Sequence, residues 1–140
     1  MAARDTKALI RRVYEEGVTK GNLAVFDETF AVDYVDHLFR PELPSGRESL
    51  KVFVGTFRTG FPDVQITVED VIAEDDKAAS RITIRGTHTG EFQGLSPTGK
   101  QVTLEALDHW RFSGGKVVEH WGGPNQFSLL HQLGVVSLPQ

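Results

Sequence analysis

A carboxylate stands on a strand face that is otherwise apolar. The residues on that face of the strand predicted over 101–112 are Leu104, Ala106, Asp108, Trp110 and Phe112. The opposite face is mostly polar, so the face with Asp108 should meet the core. Because burying an unpaired carboxylate is costly, Asp108 must find a partner or take up a proton. Asp108 is therefore the first candidate for acid/base chemistry.

His120, on the next predicted strand, is the expected partner of Asp108. Residues 113–115, Ser-Gly-Gly, join two segments that are predicted to run antiparallel. If they form a three-residue loop with a glycine in the left-handed conformation, Phe112 pairs with Lys116 and Asp108 lies opposite His120. The two Cβ atoms would then be about 5 Å apart, within reach of a carboxylate–imidazole hydrogen bond.

This pair has a chemical and a structural interpretation. A carboxylate beside the ring would raise the pKa of His120 and fix its tautomer, leaving the other ring nitrogen free for a ligand. Such a pair suits proton transfer on a carbon or oxygen acid. Alternatively, Asp108 and His120 only satisfy each other in the core. A register slip of one residue would put Trp121 opposite Asp108 instead.

The other four histidines are weaker candidates. His37 ends an alternating segment, residues 33–37, that follows the second helix, and it is the second catalytic candidate, although a lone histidine on an apolar strand face is more often a satisfied core residue. His88, near a strand end, is expected at the rim of a pocket. His109 faces outward by alternation and His131 lies in a C-terminal helical segment, so both are expected to be structural or solvated.

The apolar face is also predicted to form one wall of a ligand pocket. The predicted substrate-binding residues are Trp110, Ala106, Gly122, Leu104, Phe92, His88 and Tyr14. In the register above, Ala106 lies opposite Gly122. For Phe92, ordinary loop or core packing is the alternative. No His-x-His or HExxH spacing selects a metal, and no glycine-rich stretch has phosphate-loop or dinucleotide spacing, so we expect no metal and no organic cofactor.

Helical spacing of apolar residues dominates the first 60 positions. It predicts helices over residues 6–20, 22–30 and 45–60. Asp5 is expected to cap the first helix, and Ser45–Glu48 has the spacing of a capping box for the third.

The apolar period changes to 2 after residue 62. Strands are predicted from residue 64, over 78–88, and over the two segments that carry Asp108 and His120. Three helices followed by an antiparallel meander indicate the α+β class, with the helices on one face of the sheet. No linker or repeat divides the chain, so residues 1–140 are predicted to form a single domain.

The composition argues against several classes of protein. The chain has 140 residues, a net charge of −4 with acids and bases interleaved, and no cysteine. This charge pattern does not predict a nucleic-acid partner. No apolar run approaches the roughly 20 residues of a membrane span, and disulfides and thiolate chemistry are excluded. The first twelve residues lack the apolar segment of a secretory signal, so we expect a cytoplasmic location.

Several segments together resemble one known family. In chain order they are Lys20-Gly21-Asn22, Asp33-Tyr34-Val35-Asp36-His37, Phe61-Pro62-Asp63, Gly86-Thr87-His88-Thr89-Gly90, Pro97-Thr98-Gly99-Lys100, Gly115-Lys116-Val117-Val118-Glu119-His120-Trp121 and Gln132-Leu133-Gly134. Their order and spacing are similar to those of the SnoaL-like polyketide cyclase family, an ester-cyclase type within the nuclear-transport-factor-2-like superfamily. The likeness covers nearly the whole chain.

The resemblance implies a cone-shaped, cystatin-like fold, in which a curved, antiparallel-rich sheet wraps around N-terminal helices and encloses a deep pocket. It also implies a homodimer formed through the outer sheet face. In the family, an acidic side chain serves as general acid/base in an aldol ring closure without cofactor or metal. The family's catalytic aspartate follows the tryptophan of a His-Trp pair. That position here is Gly122, and Asp108 would supply the carboxylate instead.

Two classes of function follow from these observations. The first is a cofactor-independent enzyme that moves a proton on a small hydrophobic carbonyl substrate through Asp108, His120 and His37. The second is a non-catalytic domain that binds a small apolar ligand, which Gly122 favours. Hydroxylation, hydrolysis and isomerisation occur in related pockets, and a protein-interaction module is a further alternative.

Overall fold

The computed structural model describes residues 2–38 and 43–139. Its elements are, in chain order, α1 (Ala3–Arg12), a π-helix (Val13–Thr19), α2 (Ala24–Thr29), β1 (Phe30–Asp36), α3 (Glu48–Gly60), β2 (Gln65–Glu74), β3 (Lys77–Thr87), β4 (Gln101–Ser113), β5 (Lys116–Pro124) and α4 (Gln126–Gln132). The predicted helices and strands are all present within a few residues of their expected ends. In the described part of the chain, no helix is long and apolar enough to cross a membrane.

Within the described residues, five strands form one sheet in the order β1-β5-β4-β3-β2. Strands β2 to β5 form the predicted antiparallel meander. Strand β1 pairs parallel with β5. The sheet is curved and unclosed, with the N-terminal helices against it. The predicted α+β class with an antiparallel-rich sheet is therefore confirmed.

Strand β1 is an addition to the predicted meander. Its burial does not follow a simple alternation, because Phe30 and Tyr34 are buried whereas Val32, midway between them, is exposed. The register between β1 and β5 shifts between Phe30 and Val35, which interrupts the period of 2. Parallel pairing between segments that are far apart in sequence leaves little pattern in the neighbouring residues, so the sequence alone did not predict that β1 joins the sheet.

Both predicted side-chain caps are absent. Ala2 is the N-cap of α1 and makes no side-chain cap hydrogen bond, while Asp5 lies inside the first turn. Helix α3 begins at Glu48. Gly46 turns the chain just before it, with φ of +74°, so Ser45 lies outside the helix and cannot complete a capping box.

The turn between β4 and β5 is shorter than predicted. It contains two residues, Gly114 and Gly115, whose φ angles are +59° and +77°. A two-residue type I′ turn requires positive φ at both positions, which glycine adopts without steric cost. Ser113 rather than Phe112 therefore pairs with Lys116, and the predicted three-residue loop is wrong.

A β-bulge close to this turn shifts the register by one more residue. The two shifts add, so Asp108 pairs with Gly122 rather than with His120, and Ala106 pairs with Pro124 rather than with Gly122. A total shift of two residues keeps each side chain on its predicted face. For that reason His120 still points to the same side of the sheet as Asp108.

The inner face of β4 is buried as the alternation predicts. Its six side chains are Val102, Leu104, Ala106, Asp108, Trp110 and Phe112. Phe30 of β1 meets Trp110 edge to face, with ring centroids 5.9 Å apart. The hydrophobic core thus lies between the helices and this face of the sheet, and it surrounds the polar groups of the candidate site.

Candidate active site

A cavity of about 500 Å³ lies between the helices and the inner face of the sheet. Its wall is largely apolar and includes Val18, Phe26, Phe30, Val54, Phe57 and Ile82. Sites for small molecules typically measure roughly 300–1,000 Å³ and combine an apolar wall with a few polar groups. Here Asp36, Asp108 and His120 are the polar groups that stand together on one side.

Asp108 lies at the centre of a hydrogen-bond network on that side. Its Oδ1 is 2.7 Å from His120 Nε2, and its Oδ2 accepts from the Tyr14 hydroxyl. Only 7% of the Asp108 side chain is exposed. The predicted contact between Asp108 and His120 is therefore confirmed, although it runs diagonally between the strands and not between paired residues.

His120 bridges two carboxylates. Its Nδ1 lies 3.0 Å from Asp36 Oδ1, so the nitrogen that was predicted to be free for a ligand is already bonded. Burial alone would lower the pKa of His120. Hydrogen bonds to Asp108 and Asp36 outweigh that effect and raise the pKa to about 9. The two carboxylates therefore favour the protonated ring.

Asp36 is a site residue that the sequence analysis did not identify. It pairs with His120 across the parallel β1–β5 ladder, and it also accepts hydrogen bonds from the Tyr34 hydroxyl and the Leu38 amide, both at 2.9 Å. Burial raises the pKa of Asp36, but the hydrogen bond from His120 and the other donors lower it below its ordinary value. Its position next to His37 was the only signal in the sequence. The contact with His120 depends on the parallel pairing of β1 with β5, which was not predicted.

Tyr14 completes the network from the helical side. It lies on the π-helix that continues α1, and its hydroxyl is 2.8 Å from Ser80 Oγ as well as bonded to Asp108. Ser80 Oγ also accepts from Trp110 Nε1 at 3.1 Å. Burial and the negative charge of Asp108 raise the pKa of Tyr14 well above its usual range, so the phenol keeps its proton and acts as a donor.

His37 lines the cavity at a more exposed position. Its side chain is 39% exposed, and its Nε2 lies 2.8 Å from Glu119 Oε2. The ring stacks on Trp121, with centroids 4.8 Å apart. The structure does not join its side chain to the Asp108–His120 pair, so a catalytic role of His37 stays a prediction.

The predicted substrate-binding residues fall into two groups. Trp110, Ala106 and Tyr14 line the cavity, whereas the remaining four do not: Gly122, Leu104, Phe92 and His88. The Phe92 and His88 rings both contact Phe61, each with centroids 5.3 Å from it, and both residues are buried, so His88 is not at a rim. Leu104 is a buried core residue.

Gly122 lies outside the cavity wall, and its backbone leaves no room for a side chain. Its φ is +99°, and a Cβ atom added there would lie 2.2 Å from the Leu107 carbonyl oxygen. An aspartate at this position would clash with the backbone of β4. The chain therefore cannot hold a carboxylate here without a rearrangement of β5.

Among residues 2–38 and 43–139, no group of three or more His, Cys, Asp or Glu side chains is arranged to hold a metal ion.

The fold and the cavity define an α+β protein with an internal cavity of the size of small-molecule sites. The chain belongs to the SnoaL-like polyketide cyclase family, whose model matches residues 8–133. No protein with a curated description matches it. The expected nuclear-transport-factor-2-like architecture, which the resemblance implied, is thereby confirmed.

Solved structures agree with this assignment. IdmH from Streptomyces antibioticus, a proposed polyketide cyclase, is 34% identical over 92% of this chain and 98% of its own, with a TM-score of 0.78. AclR from Streptomyces galilaeus, a proposed hydroxylase, is 31% identical over 99% of this chain and 87% of its own, with a TM-score of 0.83. TsrD from Streptomyces laurentii shares the fold, at 20% identity over 97% and 99% of the two chains and a TM-score of 0.89.

Proposed function

We propose that the protein performs cofactor-independent acid/base chemistry, an aldol cyclisation or a related proton transfer, on a small hydrophobic carbonyl substrate. Asp108 is the general acid/base, with His120 beside it. The observation that carries the proposal is the position of Asp108, a nearly buried carboxylate on the wall of an apolar cavity of substrate size. Membership of a polyketide cyclase family agrees with a carbonyl substrate.

The hydrogen bonds to Asp108 leave it able to accept a proton. An ionised carboxylate offers about four lone-pair sites. His120 and Tyr14 use one on each oxygen, so sites on both oxygens remain for a ligand. These two donors also hold the carboxylate in one orientation, which lowers the entropic cost of reaching a reactive geometry.

The proposed reaction balances without a further reagent. Asp108 takes a proton from the carbon next to a substrate carbonyl, and the electron pair of that C–H bond becomes part of an enolate. In an aldol reaction the enolate carbon then forms a bond to a second carbonyl carbon. The resulting alkoxide takes the proton back from Asp108, which is ionised again.

A non-catalytic binding protein is the second candidate. The observation that favours it is Gly122, because this chain has no side chain at the position where the family resemblance implies the catalytic aspartate, and its backbone does not accept one. The same cavity would then bind an apolar ligand without changing it.

Proton exchange on a simple ketone separates the two candidates. We choose 2-tetralone, an uncharged bicyclic ketone that is small relative to the cavity, and follow the loss of its α-proton signals in D₂O by NMR. The wild-type protein should accelerate the exchange, and Asp108→Asn should return it to the uncatalysed rate while circular dichroism shows an unchanged fold. Asp33→Asn, an exposed change on β1, serves as the control.

Two results of this experiment would contradict the proposed reaction. Full exchange activity in Asp108→Asn would show that Asp108 is not the base. Binding of 2-tetralone without any acceleration by the wild-type protein would favour the binding protein.

We also propose that two copies of the chain associate through the outer face of the sheet, as the family resemblance implies. Ile72 and Leu107 are 63% and 60% exposed on that face. Leu107→Lys should therefore reduce the molar mass measured by light scattering to that of a monomer, and a monomeric wild-type protein would contradict the proposal. The cytoplasmic location and the absence of a cofactor or metal stay predictions.

A further inference from the structure

His120 is held between two carboxylates, of which the proposed reaction uses only one. Asp36 Oδ1 faces His120 Nδ1 at 3.0 Å, and Asp108 Oδ1 faces Nε2 at 2.7 Å. A neutral imidazole carries one N–H and can donate to one of them, whereas the protonated ring donates to both. Both contacts are satisfied together when the ring is an imidazolium between two ionised carboxylates.

Asp36 is fixed as an acceptor by its other neighbours. The Leu38 amide donates to its Oδ1, and the Tyr34 hydroxyl donates to its Oδ2. These donors stabilise the ionised carboxylate. Asp36 is therefore built to present a negative charge to His120.

The groups around the His120 ring come from three elements. Asp36 faces it from β1 and Asp108 from β4, while Tyr14 on the π-helix lies one hydrogen bond beyond Asp108. The nearby His37 donates its backbone amide to the His120 carbonyl oxygen, but its ring bonds Glu119 instead. In the described part of the chain, no other titratable side chain has a hydrogen bond to the His120 ring.

We propose that Asp36 is a positioning residue that keeps His120 an imidazolium, so that Asp108 alone accepts the substrate proton. With both N–H bonds committed, His120 has no lone pair for a proton. Its fixed positive charge, beside Asp108 on the cavity wall, offsets the negative charge that passes to the enolate. The catalytic consequence rests on the proposed function, whereas the protonation state of His120 does not.

The first test uses the wild-type protein alone. Nitrogen-15 NMR of the histidine rings distinguishes protonated from unprotonated ring nitrogens. At pH 7 both nitrogens of His120 should carry protons. A neutral His120 at pH 7, with one bare nitrogen, would overturn the proposal even if no variant folded.

The second test removes the charge of Asp36. Asp36→Asn keeps the size of the side chain and an acceptor oxygen, but it no longer favours the imidazolium. The NMR pKa of His120 should fall by about 1–3 units, the usual effect of losing a nearby opposite charge. In a plot of the 2-tetralone exchange rate against pH, the loss of activity on the alkaline side should move to lower pH together with the His120 pKa.

Asp33→Asn is the matched control, because it makes the same change at an exposed position of the same strand. It should leave the His120 pKa and the pH profile unchanged. An Asp36→Asn protein whose His120 pKa equals that of the wild type, or falls no further than in Asp33→Asn, would contradict the proposal.

The experiments distinguish a failure of the proposed reaction at Asp108 from a failure of the positioning role of Asp36. If Asp108→Asn retains exchange activity while Asp36→Asn lowers the His120 pKa, the proposed reaction is wrong and the positioning role stands. If Asp108→Asn is inactive while the His120 pKa does not respond to Asp36→Asn, the reaction stands and the positioning role is wrong.

Discussion

His120 Nε2 lies 2.7 Å from Asp108 Oδ1 although the two residues are not partners in the β4–β5 ladder. Asp108 pairs with Gly122, and His120 pairs with Trp110. Because Gly122 has no side chain, nothing projects from the position opposite Asp108, and the imidazole reaches across the diagonal. Diagonal neighbours in antiparallel strands are within reach of long side chains. Gly122 thus leaves room for the diagonal contact between Asp108 and His120.

The stability of the protein should fall as the pH rises above neutrality. The pKa of His120 is about 9 in the folded protein against 6.5 for the ordinary side chain. The folded state therefore holds this proton more tightly, and the resulting stability is fully present below pH 6.5 and lost as the pH rises through 9. We expect a loss of about 2–3 kcal/mol in the free energy of unfolding over this window, measured by urea denaturation.

His120→Gln is the control for this pH dependence. It removes the titrating group, so its unfolding free energy should change less between pH 6.5 and 9 than that of the wild type. Equal pH dependence in the two proteins would show that His120 is not the group responsible.

Removal of the Tyr14 hydroxyl should affect both stability and proton transfer. Tyr14→Phe deletes the donor to Asp108 and leaves a buried carboxylate oxygen with one partner fewer. A lost hydrogen bond to a charged group costs about 1.5–3 kcal/mol. Thermal or urea unfolding measures this cost, and the 2-tetralone exchange rate should fall because Asp108 is less well oriented.

Tyr34→Phe provides the comparison for Tyr14→Phe. Tyr34 is equally well buried, but its hydroxyl donates to Asp36 rather than to Asp108. It should destabilise the protein by a similar amount with a smaller effect on exchange. A larger loss of exchange in Tyr34→Phe would argue against a direct role of Tyr14.

Restoring the family's aspartate should damage the fold. Gly122→Asp places a Cβ atom 2.2 Å from the Leu107 carbonyl oxygen at a φ of +99°. Gly94→Asp is the matched control, because Gly94 has φ of +78° but open space around it. Left-handed strain alone costs about 1–2 kcal/mol, so Gly122→Asp should be destabilised by clearly more than Gly94→Asp. Similar unfolding free energies would mean that β5 rearranges to accept the carboxylate.

Filling the cavity should weaken ligand binding without changing the acid/base groups. Ala106 lines the cavity, and Ala106→Phe would project a ring into it. Binding of the uncharged apolar dye N-phenyl-1-naphthylamine, followed by its fluorescence, should decrease at least about tenfold, which corresponds to roughly 1.4 kcal/mol. Leu107→Phe, at the neighbouring position on the outer face, should bind the dye as the wild type does. Equal binding by the two variants would place the ligand outside the cavity.

Local patterns in the sequence were sufficient for much of the fold. The change of apolar period after residue 62 predicted the helices, the meander and the inner face of β4, because these features depend on neighbouring residues. The resemblance to the family predicted the architecture. The predicted register of β4 and β5 was wrong, because the same two glycines also allow a two-residue turn and because the β-bulge between Arg111 and Phe112 was not predicted.

The site was only partly predictable for a related reason. Asp108 was found as a carboxylate on an apolar face, and His120 by counting residues along the next strand. Asp36 was missed because its contact with His120 depends on the parallel pairing of β1 with β5. Phe92 and His88 were assigned to the pocket although they surround Phe61, since sequence does not reveal which part of a core remains open.

A crystal structure of the protein with 2-tetralone bound tests the central claim most directly. We predict that the ligand occupies the cavity with an α-carbon about 3–3.5 Å from a carboxylate oxygen of Asp108, the distance of a reactive contact. A ligand bound outside the cavity, or one whose α-carbons lie against the apolar wall away from Asp108, would contradict the assignment of Asp108 as the base.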